Sequence, residues 1–173
     1  APISDDKLGR NHVFFLPYLM GERSPINDTN ARGTFIGMTM YTTRADLVQA
    51  VLEGVAFAIR DSVEVARSLG ITIDSSMICG GGAKSKLWKK IMANVLGAEL
   101  RSPASEQGPG MGGAMLAMVT CGAYESVGAA CEKLVGVCEI VKPEPELTAL
   151  YEKRYQQFRK IYPAVKNLFP EIQ

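Results

Sequence analysis

The chain has 173 residues, the size of one domain with a sizeable core. Lys and Arg total 19 against 18 Asp and Glu, and a net charge of +1 gives no electrostatic ground for a nucleic-acid partner. Four cysteines without CxxC spacing, a single histidine and no apolar run of membrane-spanning length argue against a metal site, a histidine-based catalytic pair and a membrane-spanning helix.

Ala1-Pro2-Ile3-Ser4-Asp5-Asp6 opens without methionine and reads as the interior of a longer chain. Val13 to Leu19 is a short apolar strand ended by its proline, leading into the polar turn Gly21-Glu22-Arg23-Ser24-Pro25. Glu22 and Arg23 are either a functional pair facing a cleft or a solvated loop pair, and the second is favoured since such surface pairs are common and contribute little. Gly33 to Met40 is rich in β-formers, and Gly37 inside it marks a bulge or a close backbone approach. Thr43 and Asp46 begin a capping box, after which Leu47, Ala50, Val51, Gly54, Val55, Ala58, Ile59, Ser62, Val63 and Ala66 hold a helical stripe as far as Leu69-Gly70. This is one helix of roughly 40 Å. Its small residues predict close packing against a neighbour.

Met77-Ile78-Cys79, then Gly80-Gly81-Gly82, then Ala83-Lys84-Ser85 reads as strand, tight turn and helix start. Ser85 is a natural N-cap, and Leu87, Trp88, Ile91, Met92, Val95 and Leu96 keep helical spacing up to Gly97. A glycine turn entering a helix is one way to present peptide N–H groups to a nucleotide; a plain structural turn is the other meaning. The turn does not fit a Walker A loop, because Ala83 stands where a glycine should precede Lys84. Gly108 to Gly113 satisfies G-x-G-x-x-G but follows the strand Ala98–Ser102 at a distance, which argues against a dinucleotide fingerprint. Lys84, Lys86, Lys89 and Lys90 are expected to form a solvated face. Met111, Met115 and Met118 in the next helix read as core filling. A helix from Ser126 to Leu134, a strand from Val137 to Val141 and a helix from Glu146 to Ile161, broken by Pro163, complete the chain. Strands alternating with helices argue an α/β layer fold. Cys79, Cys121, Cys131 and Cys138 are expected as buried free thiols of a cytoplasmic protein.

Gly33-x-Phe35-x-Gly37-Met38, then Asp46-Leu47-x-x-Ala50-Val51-Leu52-Glu53 after a spacer of seven residues, resembles the C-terminal signature of the FGGY family of carbohydrate kinases. Gly21 to Pro25 with Ala31-Arg32-Gly33, Gly80 to Ser85 with Trp88, Gln107 to Ala114, and Tyr151-x-x-Arg154-Tyr155-x-x-Phe158 are similar too, over His12 to Phe169. The resemblance implies an actin-like (ribonuclease H-like) ATPase domain, a mixed sheet flanked by helices, forming the C-terminal half of a two-domain sugar kinase. It implies transfer of phosphate from ATP, with Mg2+, to a sugar, of which D-xylulose is the one these segments point to; gluconate, ribulose or glycerol are the alternatives within the family. The sugar pocket and catalytic aspartate would then lie in the other half, so no catalytic or metal-binding residue is expected here. Gly80, Gly81, Gly82, Ala83 and Lys86 fall where the family binds ATP or ADP, Lys86 in place of the asparagine of the glycerol kinase branch. Gly108 to Gly113 would line the same cleft, and Trp88 would be core packing. The long helix would lie near the join of the halves, leaving an apolar surface that favours a homodimer. A non-catalytic actin-like interaction domain is the reading from a different class.

Overall fold

The computed structural model describes residues 3–105 and 108–172, so Ala1, Pro2 and Gln107 of the sequence reading lie outside it. Its elements are β1 (Phe14–Leu16), β2 (Thr34–Ile36), α1 (Arg44–Ser68), β3 (Ser75–Met77), α2 (Lys86–Leu96), β4 (Glu99–Pro103), α3 (Pro109–Thr120), α4 (Val127–Leu134), β5 (Val137–Val141), α5 (Pro145–Phe158) and α6 (Ile161–Val165). β1 and β2 form an antiparallel pair, with Phe15 opposite Phe35. β4 is the middle of a three-stranded mixed sheet, parallel to β3 and antiparallel to β5, with Leu100 opposite both Ser76 and Val141.

The start of α1 is built as its sequence implies. The Thr43 hydroxyl accepts from Asp46 N–H at 3.3 Å, while the Asp46 carboxylate accepts from the Thr43 hydroxyl at 2.7 Å and from its backbone N–H at 2.8 Å; these last two bonds hold the Asp46 carboxyl below its usual range. The small residues of α1 do find a close neighbour, but it is β1 of the same chain: a Cβ at Gly54 would overlap the Phe15 carbonyl oxygen. The N-terminal part of the stripe is thus covered within this domain, whereas Ile59 and Ser62 farther along it are exposed. Farther along, the Phe57 ring stands 5.2 Å from Phe158 and 6.0 Å from Tyr155, tying α1 to α5 at the centre of the core.

A buried polar cluster crosses the same contact. Glu53, only 1% exposed at its side chain, accepts from Arg154 at 2.9 Å, Gln49 at 2.8 Å and Tyr151 at 3.1 Å. Arg154 also donates to the carbonyls of Asn11 and Val13 and lies over the Phe14 ring, so one side chain joins α5 to α1 and to the segment that becomes β1. Burial works against the guanidinium charge and Glu53 supports it.

Several expectations are corrected. The first two strands are shorter than their apolar runs, because Pro17 cannot donate to the ladder and Gly37 brings its backbone against His12 O with φ +91°. β3 sits at Ser75–Met77, ahead of Ile78 and Cys79. Pro163 does not break the last helix. α5 ends at Phe158, and Pro163 stands in the first turn of α6, where its missing N–H has no partner to lose. Lys89 is not on a solvated face: it is 4% exposed and paired with Glu139 of β5, while Lys90 bridges Asp5 and Glu144, each at 2.9 Å. The cysteines are free but not buried, Cys131 being half-buried and the other three exposed. Of the α3 methionines only Met115 is buried, α4 being the main neighbour of α3 among the described residues.

Candidate functional site

The glycine turn forms a single turn of 3-10 helix over Gly81–Lys84. Gly80 precedes it at φ 84° and ψ −175°, a region essentially restricted to glycine. Ala83 N–H and Ser85 N–H close the turn on Gly80 O and Gly82 O, both at 3.0 Å. Ser85 then caps α2, its hydroxyl accepting from Trp88 N–H at 3.2 Å. The first N–H groups of such a turn have no intrahelical acceptor and are available to a ligand.

Opposite the turn stands α3. Gly108 precedes it at φ 53° and ψ −142°, again a conformation suited to glycine, and Pro109 occupies its first position. A cavity of about 430 Å³ separates the two, within the usual range for small-molecule sites. Cys79, Gly80 and Gly81 line one side of it and Gly108, Pro109 and Met111 the other. Leu134, Val135 and Gly136 close it from the α4–β5 junction, with Pro103 and Ser105 at the end of β4. Side chains there are mainly apolar; polarity comes from Ser105, Cys79 and the peptide groups.

Of the residues singled out in the sequence, Gly80 and Gly81 therefore face the cavity together with Gly108, Pro109 and Met111 of the G-x-G-x-x-G segment, whose other glycines do not line it. Gly82 and Ala83 do not line it. A Cβ on Gly82 would stand 3.0 Å from the Trp88 indole, and Gly82 does not have the positive φ that its neighbour Gly80 adopts. Ala83 is buried beneath the turn, and Lys86 is exposed at the start of α2. Trp88 is half-buried against the core, as expected for packing. Sequence reasoning missed the third wall. Gly136 looked like a helix stop, and only antiparallel pairing, with Ala104 N–H donating to Gly136 O at 2.8 Å, carries it to the cavity.

A second hollow, about 350 Å³, lies between α1, α5 and α6 and is lined by Tyr18, Asp61, Tyr155, Arg159 and Tyr162 among others. Its two carboxylates are already engaged, Asp61 accepting from Tyr155 OH at 2.6 Å and Glu64 pairing with Arg60 and Arg67, and burial raises the Asp61 pKa above its ordinary value. Glu22 of the early polar turn accepts from Ser24 N–H at 3.0 Å, in keeping with a loop role.

The fold has close counterparts among solved sugar kinases. Gluconate kinase from Lactobacillus acidophilus superposes with a TM-score of 0.88 at 25% identity, over 96% of this chain and 34% of that one. Ligand-bound xylulose kinase from the same organism superposes at 0.86 with 26% identity, over 96% and 34%. The architecture is thus that of the actin-like ATPase fold as sugar kinases use it. The family model described as FGGY family of carbohydrate kinases, C-terminal domain, matches residues 3–121, and the chain belongs to that family. Xylulose kinase of Staphylococcus epidermidis is 35% identical over 169 residues, which is 98% of this chain and 34% of that protein. The chain thus spans about a third of the length of the curated relatives it matches.

Proposed function

We propose that this chain is the nucleotide-side domain of an ATP-dependent sugar kinase whose full-length form converts D-xylulose and ATP to D-xylulose 5-phosphate and ADP. The observation that carries this reading is the cavity in which the glycine turn and the start of α3 face one another. Gly80 and Gly81 leave backbone N–H groups uncovered, and the α3 N-terminus adds the positive end of a helix dipole, a setting that suits nucleotide phosphates. Met111, Leu134 and Val135 offer the apolar surface that a purine needs.

Phosphoryl transfer depends on positioning and charge neutralisation more than on covalent chemistry, so one domain can hold the nucleotide while another presents the sugar. Mg2+, which the family chemistry implies, finds no donor set here: among the described residues no three His, Cys, Asp or Glu side chains come together to hold a metal. Its ligands on this reading are the nucleotide phosphates and groups from the rest of the full-length enzyme, and none of the roles assigned to this chain passes through it. The exposed Met20, Met40 and Tyr41 fit the homodimer expected from the sequence. No helix among the described residues is long and apolar enough to cross a membrane.

Gly81 provides the cleanest test. Beyond its own chain neighbours nothing lies within 4 Å of its Cβ position, and its φ is not in the positive range, so Gly81→Val adds bulk beside the cavity without a left-handed backbone to strain. Calorimetric titration of the full-length protein should show at least a tenfold loss of affinity for a non-hydrolysable ATP analogue, about 1.4 kcal/mol, with D-xylulose affinity nearly unchanged. Unchanged ATP affinity would refute the site and favour the non-catalytic interaction domain. A substrate screen against D-xylulose, gluconate, ribulose and glycerol tests the sugar, and a coupled assay of the 173-residue chain alone should give no turnover.

A further inference from the structure

We infer that Trp88 is a positioning residue for the nucleotide, a rigid support behind the glycine turn that holds its N–H groups at the cavity. The inference rests on the ATP-site reading above and extends it to a side chain that does not line the cavity. The two sides of the turn are unlike. Cβ positions built on Gly80 and Gly81 meet nothing within 4 Å, whereas the position on Gly82 falls 3.0 Å from both Cδ1 and Nε1 of Trp88. The turn is thus open toward the ligand and supported on the other side by the indole edge.

The support is itself held in place. Trp88 lies in the first turn of α2, its backbone N–H bonded to Ser85 Oγ, and its ring packs against the buried core to which Ile91, Met92 and Val95 of the same helix belong. An indole has only two side-chain torsions, so little ordering is lost when it is fixed against the backbone. This also explains why the third position of the turn is glycine. Gly80 is required by its backbone angles, while Gly82 is favoured by Trp88, because an added Cβ would press on the indole edge and the ring or the turn would have to give by a few tenths of an ångström. Displacing catalytic or binding groups by about 1 Å can cost a hundredfold in rate, so movement of the turn should be felt at the ligand.

The test is a double-mutant cycle in the full-length kinase. Trp88→Leu should raise KM and Kd for ATP roughly tenfold, with kcat and D-xylulose affinity within about twofold, and Trp88→Phe should keep much of the wild-type behaviour. Gly82→Ala should weaken ATP binding alone but add little in the Trp88→Leu background, where the indole edge is gone. In 5-fluorotryptophan-labelled enzyme the 19F resonance lost in Trp88→Phe should shift with ATP analogue and not with sugar. Additive effects of the two substitutions, or equal losses for ATP and D-xylulose accompanying a lower melting temperature, would overturn the inference. Gly81→Val separates the two levels: if it leaves ATP binding intact the site reading falls, and if it weakens ATP while Trp88→Leu does not, only the positioning role falls.

Discussion

Arg154→Met tests the buried cluster that joins α1, α5 and the segment leading to β1. Methionine keeps the length and much of the bulk of the side chain while removing its charge and donors. Glu53 would keep Gln49, Tyr151 and the Gly9 N–H as neutral partners but lose its one cationic partner among the described residues, the Arg154 guanidinium at 2.9 Å. With side-chain exposures of 8% for Arg154 and 1% for Glu53, water cannot take over that role. Breaking such a pair from one side costs about 3–5 kcal/mol. The carbonyls of Asn11 and Val13 lose a donor at the same time, and because they share that donor with Glu53 their cost overlaps with the first figure. Urea unfolding followed by circular dichroism should therefore show a loss of about 4 kcal/mol, and thermal unfolding a drop of about 6–20 °C for a domain of this size. A loss below about 1 kcal/mol, as for an exposed pair, would refute the claim that Arg154 compensates Glu53 in a dry setting.

Asn94, fully buried in α2, accepts from Glu144 N–H at 2.7 Å and from the Thr148 hydroxyl at 3.1 Å, capping α5 from another helix. Asn94→Ala should lower unfolding free energy by about 1–3 kcal/mol in the same denaturation assay. Burial raises the Asp61 pKa, so the stability this group contributes is fully present below its unfolded value of about 3.8 and lost as pH rises through the raised folded value. Asp61→Asn should accordingly stabilise the protein at pH 7 relative to wild type, an advantage that shrinks toward pH 3 in thermal melts across pH. Met20, Met40 and Tyr41 are 94%, 88% and 79% exposed, and light scattering over a concentration series should show dimers or larger species.

Elements whose causes are local were legible in the chain. The Thr43–Asp46 capping box, the helical stripe behind it, the Ser85 cap and the need for glycine at position 80 depend on residues a few places apart, so spacing alone specifies them. The family signature is legible only in part for the same reason: the helix starting beyond Thr43 is capped locally, whereas Gly37 is required by the approach of His12 O from a distant part of the chain. Periodicity, however, says which residues share a face and not what stands opposite that face. Lys89 has the same helical neighbourhood as Lys86, yet one is buried against Glu139 and the other exposed, because β5 lies over only one of them. Pairing of β4 with β5 likewise carries Leu134 to Gly136 to the glycine turn across more than fifty positions of sequence. Gly82 shows the division most clearly. Its sequence announces a small residue in a turn, but only the tertiary structure reveals that the space it leaves is filled by the Trp88 ring and that the cavity opens beside Gly80 and Gly81.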